Sequence, residues 1–130
     1  MSNTNYFFID ARASGTGTFS VWQDTNITIE KGESIKISCN GYASSLYSAG
    51  TTKPNICQPQ GIDAKLSNSL VPSVEVCAAV AKIGTDGTPV KIGTDGSITA
   101  QEKGILYLGF NDSIATDNAG GYFATIVQPN

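Results

Sequence analysis

The sequence contains no histidine, the side chain that most often acts as a general base near neutral pH and that most often ligates transition metals. It also lacks the Ser-x-x-Lys and Gly-x-Ser-x-Gly motifs of serine hydrolases and the Gly-x-x-x-x-Gly-Lys-Ser/Thr phosphate-binding loop. Paired acids for glycoside hydrolysis remain conceivable, because Asp112 and Asp117 are close in sequence. A carboxylate that ligates a cation stays ionised and is a poor general acid. We therefore predict that the chain is not an enzyme.

Clustered positive charge and long apolar runs are also missing. The eight Lys and Arg residues are scattered and the net charge is −3, which argues against a nucleic-acid partner. No apolar run approaches the roughly 20 residues of a membrane span, so membrane insertion is not expected. The first five residues have neither the basic region nor the apolar stretch of a secretory signal. We expect cytoplasmic synthesis, and release or cell-surface association would need a route without a signal peptide.

Cysteine is scarce and odd in number. The three cysteines have no close metal-type spacing, so neither a disulfide framework nor a zinc site is expected. Cys39 and Cys77 lie in apolar runs and are predicted to be buried as small hydrophobic residues. Cys57 lies in a proline-rich segment and is the one of the three cysteines for which exposure is expected.

Short apolar runs separated by polar and glycine-rich segments dominate what is present. The 130 residues suit one domain, residues 1–130, with a single core. Helix signals are nearly absent, and the pattern predicts an all-β fold, a small antiparallel β-sandwich that is jelly-roll-like. Residues 27–29 and 35–39 are predicted to form a hairpin, and residues 74–83 a central strand. The predicted core residues are Val21 or Trp22, Ile27, Ile29, Ile35, Ile37, Val74, Val76, Val80, Ile83, Leu106, Leu108, Phe110, Tyr122, Ala124 and Ile126.

A hexapeptide, Lys-Ile-Gly-Thr-Asp-Gly, occurs twice, at residues 82–87 and 91–96. The nine-residue spacing is also that of calcium-binding β-rolls, but two copies are too few to stack into one. The favoured interpretation is that residues 86–87 and 95–96 are turns of a β-meander.

Residues 105–110 and 122–127 alternate with period two around a polar segment that holds Asp112, Asp117 and Asn118. This pattern predicts a hairpin with oxygen ligands at its tip. Carboxylate and amide oxygens are ligands that Ca²⁺ prefers. Asn, Asp and Gly also make ordinary surface turns, so the residue types alone leave a metal site and a plain turn as alternatives.

The same segment resembles the calcium-and-sugar hairpin of the bacterial galactophilic PA-I lectin family. The resemblance rests on residues 104–112 followed by residues 117–122, and it extends over roughly residues 18–128. Shorter matching pieces follow in the family's order, at residues 41–44, 59–61 and 82–84.

The resemblance implies a calcium-dependent lectin that binds galactose or galactosides and assembles as a homotetramer or another homo-oligomer. The implied metal ligands are Asp112, Asp117, Asn118 and main-chain carbonyls of Tyr47, Ala115 or Thr116. The implied sugar-binding residues are Asp112, Asp117, Tyr47, Lys65 and Asn68. In the family, a His and a Gln contact the sugar near the positions where this chain has Lys65 and Asn68. Because those two residues are not matched here, the resemblance leaves the preferred sugar open. The alternative is a calcium-stabilised structural or interaction module that binds no sugar.

Overall fold

The computed structural model describes residues 3–14, 18–45 and 55–129. These residues form nine β-strands and no helix, and so no helix that is long and apolar enough to cross a membrane occurs among them. The strands are β1 (Asn3–Asp10), β2 (Gln23–Ile29), β3 (Ser34–Ser45), β4 (Asn55–Cys57), β5 (Ala79–Ile83), β6 (Val90–Lys91), β7 (Asp95–Thr99), β8 (Gly104–Phe110) and β9 (Ala119–Gln128).

The strands form two antiparallel sheets. One has the order β1-β9-β3, and the long strand β3 pairs on its other side with β7 and then with β4. The second sheet has the order β2-β8-β5-β6. The predicted fold class, a small antiparallel β-sandwich, is confirmed.

Period-two alternation places the core between the sheets. In β3, Ile35, Ile37 and Cys39 are buried while the intervening side chains are exposed. Fully burying one such aliphatic side chain stabilises the fold by about 1.5–3 kcal/mol. The predicted core residues are buried, except for four that are only half-buried: Val21, Trp22, Ile27 and Val74.

The predicted strand pairings are wrong in two places. Strands β8 and β9 were expected to form a hairpin, but β8 lies in one sheet and β9 in the other, so residues 111–118 cross between the sheets. The same is true of β2 and β3, which residues 30–33 connect. Alternation reports which face of a strand is buried and not which strand it pairs with. A crossing connection buries both apolar faces in the same core, as a hairpin would.

The predicted strand over residues 74–83 and the predicted meander are also wrong in part. Strand β5 begins only at Ala79, because residues 71–77 form turns. The first hexapeptide does contain a turn, in which the N–H of Gly87 donates to the carbonyl of Gly84 at 3.2 Å. Asp95 and Gly96 instead begin β7, which pairs with β3 in the other sheet.

The prediction for Cys57 is wrong, whereas those for Cys39 and Cys77 are confirmed. All three thiols are free and buried, and Cys57 is only 3% exposed. Strand β4 pairs with β3 and turns Cys57 toward the core, where its Sγ lies 3.5 Å from the carbonyl oxygen of Ala43. Proline nearby in sequence marks a loop but does not say which way the next side chain points.

Candidate functional site

Buried polar side chains concentrate where the chain crosses between the sheets. Of the six buried polar or charged residues in the described chain, all but Ser69 lie on this crossing segment or at the adjoining end of β3. They are Ser45, Asn111, Asp112, Ser113 and Asn118. Burying polar groups is costly unless they find partners. Such a cluster therefore needs an explanation beyond packing.

Asp112 is the charged member of the cluster and is 3% exposed. Its Oδ1 accepts a hydrogen bond from the N–H of Ser113 at 2.7 Å, and its Oδ2 accepts one from Ser45 Oγ at 3.1 Å. Burial raises the pKa of Asp112 despite these bonds, and the charge of Asp117 adds to the rise. Within residues 3–14, 18–45 and 55–129, no lysine or arginine forms an ion pair with this carboxylate.

Asn118 lies beside Asp112 and is equally buried. Its Nδ2 donates to the main-chain carbonyl of Ala11 at 2.9 Å, which fixes the side chain against the end of β1. Its side chain also hydrogen-bonds Asp112 and opposes the rise in that carboxyl's pKa. The Oδ1 atom is buried and has no hydrogen-bond partner among the described residues. Leaving a buried acceptor unpaired costs about 1–3 kcal/mol, a cost that a bound cation would remove.

The rest of the crossing segment is held by neighbouring main chain. The N–H of Ser20 donates to the carbonyl of Ser113 at 2.9 Å, and the N–H of Ala115 donates to the carbonyl of Thr18 at 2.7 Å. The carbonyl of Ala115 accepts the N–H of Asn118 at 3.0 Å, which closes a turn. Thr116 and Asp117 are exposed on that turn. Asp117 therefore lies at the solvent side of the cluster, with Asp112 and Asn118 beneath it.

Three other predicted site residues, Lys65, Asn68 and Tyr47, lie outside the crossing segment of residues 111–118. Lys65 and Asn68 are exposed in the segment between β4 and β5. The pKa of Glu75 is lowered by a main-chain hydrogen bond and by Lys91, with a weaker contribution from Lys65, which puts Lys65 near Glu75. Tyr47 lies outside the described residues. Of the predicted side-chain ligands of the metal, the structure brings Asp112, Asp117 and Asn118 together.

Sequence reasoning gave no role to Asn111, which is fully buried. Its Oδ1 accepts the N–H of Val71 at 2.8 Å, and its Nδ2 donates to the carbonyls of Val71, Val74 and Glu75 at 2.9–3.0 Å. These bonds hold the turns of residues 71–75 against the residue that precedes Asp112. The available signal was an amide placed directly between an apolar alternating run and an acid.

The donor set of the cluster suits a hard cation. The described residues contain no group of three or more His, Cys, Asp or Glu side chains arranged to hold a metal. Within the described part of the chain, Asp112 has a carboxylate without a cationic partner and Asn118 has an amide oxygen without a donor, and both are oxygen types that Ca²⁺ takes. Main-chain carbonyls complete most such sites, so two acids and one amide are compatible with calcium. The residues present fit the ion that the resemblance implies.

Comparison with known proteins supports the fold. No family model and no curated protein matches the sequence. Among solved structures, the chain is similar to the "EclA N-terminal domain; PllA-like lectin", with a TM-score of 0.65 and 22% identity over 96% of this chain and 95% of that one. A functionally unknown conserved protein mutant from Bacillus anthracis str. Ames is 14% identical, with a TM-score of 0.43, over 97% of this chain and 21% of that one. The first likeness shows that this chain has the fold of a PllA-like lectin domain over nearly its full length.

Proposed function

We propose that this protein is a calcium-dependent lectin that binds carbohydrate without converting it, with galactose or a galactoside as the first candidate ligand. The observation that carries the proposal is the buried Asp112 carboxylate, which has no cationic partner among the described residues, beside the unpaired Oδ1 of Asn118. A solved protein that bears the name lectin and shares the fold adds support.

Asp112, Asp117 and Asn118 would hold the cation, together with main-chain carbonyls of residues 114–116 and of the segment around Tyr47. Bound calcium would polarise sugar hydroxyls. The residues of the chain prepare the site in advance, because Ser45 and the N–H of Ser113 orient the two oxygens of Asp112. Oriented carboxylates can then accept protons from sugar hydroxyls in charge-assisted hydrogen bonds.

The preferred sugar depends on positions outside this cluster. Lys65 and Asn68 lie near the positions that carry sugar-contacting His and Gln in the PA-I family. Losing two neutral hydrogen bonds at roughly 0.5–1.5 kcal/mol each weakens binding by about one to two orders of magnitude. We therefore expect galactoside binding that is weak but calcium-dependent, and titration should include mannose and fucose.

The test is thermal unfolding in chelator, in Ca²⁺, and in Ca²⁺ with each sugar. A ligand that binds only the folded state stabilises it, by about 2.7 kcal/mol at a hundred times its Kd. We expect Ca²⁺ to raise the Tm, and galactose to raise it further only when Ca²⁺ is present. The variant Asp112→Asn should lose both responses, yet be at least as stable as the parent in chelator, because it removes a buried charge.

The matched control is Asp95→Asn, which removes an exposed carboxylate from β7 and should respond to Ca²⁺ as the parent does. An undiminished calcium response in Asp112→Asn would refute the assignment of the site. A calcium response without any sugar response would favour the alternative, a calcium-stabilised module.

A further inference from the structure

Five strands have an open edge in the part of the chain that the structure describes, and four of these edges are guarded. Strand β2 carries a bulge between Asp24 and Thr28, where Asn26 has a φ of 61°. Strands β4 and β6 have only three and two residues, and β7 begins with the charged Asp95. Bulges, short strands and edge charges are the usual means by which proteins prevent sheets from joining edge to edge.

Strand β1 carries such a charge only at its last residue, Asp10, and has neither a bulge nor a short length to protect the rest. Its eight residues pair with β9 in an unbroken register. No charged residue and no proline occurs before Asp10, the last residue of the strand. Tyr6 is 77% exposed and Phe8 is 43% exposed. A long, flat edge with exposed aromatic side chains is a template for another strand.

The hydrogen bonds between β1 and β9 show which main-chain groups of β1 face outward. The N–H of Ala11 donates to the carbonyl of Gly120 at 3.1 Å, so the odd-numbered residues of β1 bond to β9. The even-numbered residues, Thr4, Tyr6, Phe8 and Asp10, therefore direct their N–H and C=O groups away from the sheet.

Gln23 closes one end of this open edge. The N–H of Asp10 donates to Gln23 Oε1 at 3.0 Å, and Gln23 Nε2 donates to the carbonyl of Asp10 at 3.0 Å. The amide side chain thus satisfies Asp10 as a partner strand would. Thr4, Tyr6 and Phe8 are left with outward main-chain groups that have no such cap among the described contacts.

The same residues present an apolar surface. Even-numbered residues of β1 share the outer face of the sheet, where the rings of Phe8 and Phe123 lie 5.0 Å apart. Phe123 is 61% exposed, and Tyr42 on β3 is exposed on the same face. The apolar surface therefore begins at the open edge and continues across β9 to β3.

We propose that β1 pairs antiparallel with β1 of a second copy of this chain, about a two-fold axis at Tyr6. In that register Tyr6 lies opposite Tyr6 of the second copy, and Thr4 lies opposite Phe8. All three outward residues find partners, with about six main-chain hydrogen bonds, and a Gln23 cap lies just beyond each end. The three open positions are evenly spaced about Tyr6, so the same three positions of a second copy match them, which favours a second copy over a foreign peptide. This interface does not depend on the proposed calcium site.

Sedimentation velocity on the full chain tests the edge. The variant Tyr6→Pro removes an outward N–H but no hydrogen bond to β9, so β1 should remain in its sheet. We expect Tyr6→Pro to have half the mass of the parent. The variant Tyr6→Lys places two ammonium groups opposite each other and should also have half the mass of the parent. It tests the proposal even if the proline variant does not fold. The control Tyr42→Ser removes an exposed aromatic ring from the same face and should keep the parent's mass.

Crosslinking tests the register. Residues opposite each other in a hydrogen-bonded antiparallel pair have Cα atoms about 5.5 Å apart, a distance that a disulfide can span. With diamide as the acceptor of two electrons and two protons, Tyr6→Cys should form a covalent dimer, whereas Thr4→Cys should not. Any of three results would overturn the proposal. The parent could be monomeric at 100 μM, a concentration of the order that weak homodimers need. Both Tyr6 variants could keep the parent's mass, or the two cysteine variants could crosslink equally.

Discussion

Replacing Asn111 with leucine removes four hydrogen bonds while keeping the number and branching of the side chain's heavy atoms. The two bonds to the main chain of Val71 are buried, whereas those to the carbonyls of Val74 and Glu75 are partly buried. Water can take over the latter two. The N–H of Val71 would be left without a partner, because it loses Asn111 Oδ1 as its acceptor, whereas the C=O of Val71 still accepts the N–H of Val74 at 3.0 Å.

The expected loss follows chiefly from that N–H. An orphaned buried donor costs about 1–3 kcal/mol. A domain of this size is stable by about 5–15 kcal/mol in total. Since each kcal/mol shifts the Tm by roughly 3–5 °C at this chain length, Asn111→Leu should lower the Tm by roughly 3–15 °C.

Urea and thermal unfolding in chelator measure this loss without a contribution from any bound ion. The matched control is Asn40→Leu, since Asn40 is exposed on β3 and its replacement should change the free energy of unfolding by less than about 0.5 kcal/mol. If Asn111→Leu were as stable as Asn40→Leu, the four bonds would not hold the turns of residues 71–75, and the reasoning would be wrong.

Two further predictions concern buried ionisable groups. Burial raises the pKa of the Cys39 thiol to about 12, and Cys57 is buried as well, so a thiol reagent should modify neither until the protein is unfolded. If one thiol of the native protein were labelled rapidly, and this labelling were lost in Cys57→Ser, the position of β4 would be contradicted. Burial also raises the pKa of Asp112, so the folded state binds that proton more tightly than the unfolded state does. In chelator, the stability of the parent relative to Asp112→Asn should therefore fall as pH rises from about 3 to about 7, and a constant difference would contradict the sign.

The sequence predicts the strands of this fold better than their partners. Alternation at residues 35–39 and 105–110 is a local property, and both segments are strands with the expected buried faces. Pairing depends on contacts between distant segments, and alternation carries no information about it. The supposed tip of a hairpin is therefore a crossing between two sheets.

The candidate site was predicted only in part, because the sequence does not show which distant segments contact it. The acids and amides of residues 112–118 are close in sequence, so their proximity could be inferred. The contacts that orient them come from Ser45 and Ala11, which only the folded topology brings near. Asn111 was missed because two of its partners, Val74 and Glu75, were assigned to a strand that would have satisfied its own main-chain groups.

Because the chain crosses between the sheets at the candidate site, the site is held together by contacts between residues that are far apart in sequence. The bond from Asn118 to Ala11 joins residues 107 positions apart, and that from Ser45 to Asp112 joins residues 67 apart. Contacts of such sequence separation form only when large loops close, and the entropy of that closure must be overcome. A fragment that lacks residues 3–14, residues 34–45 or residues 111–118 therefore cannot assemble the cluster. A ligand held there would act chiefly by slowing unfolding rather than by speeding folding, so that its effect on the lifetime of the native state would exceed its effect on the folding rate.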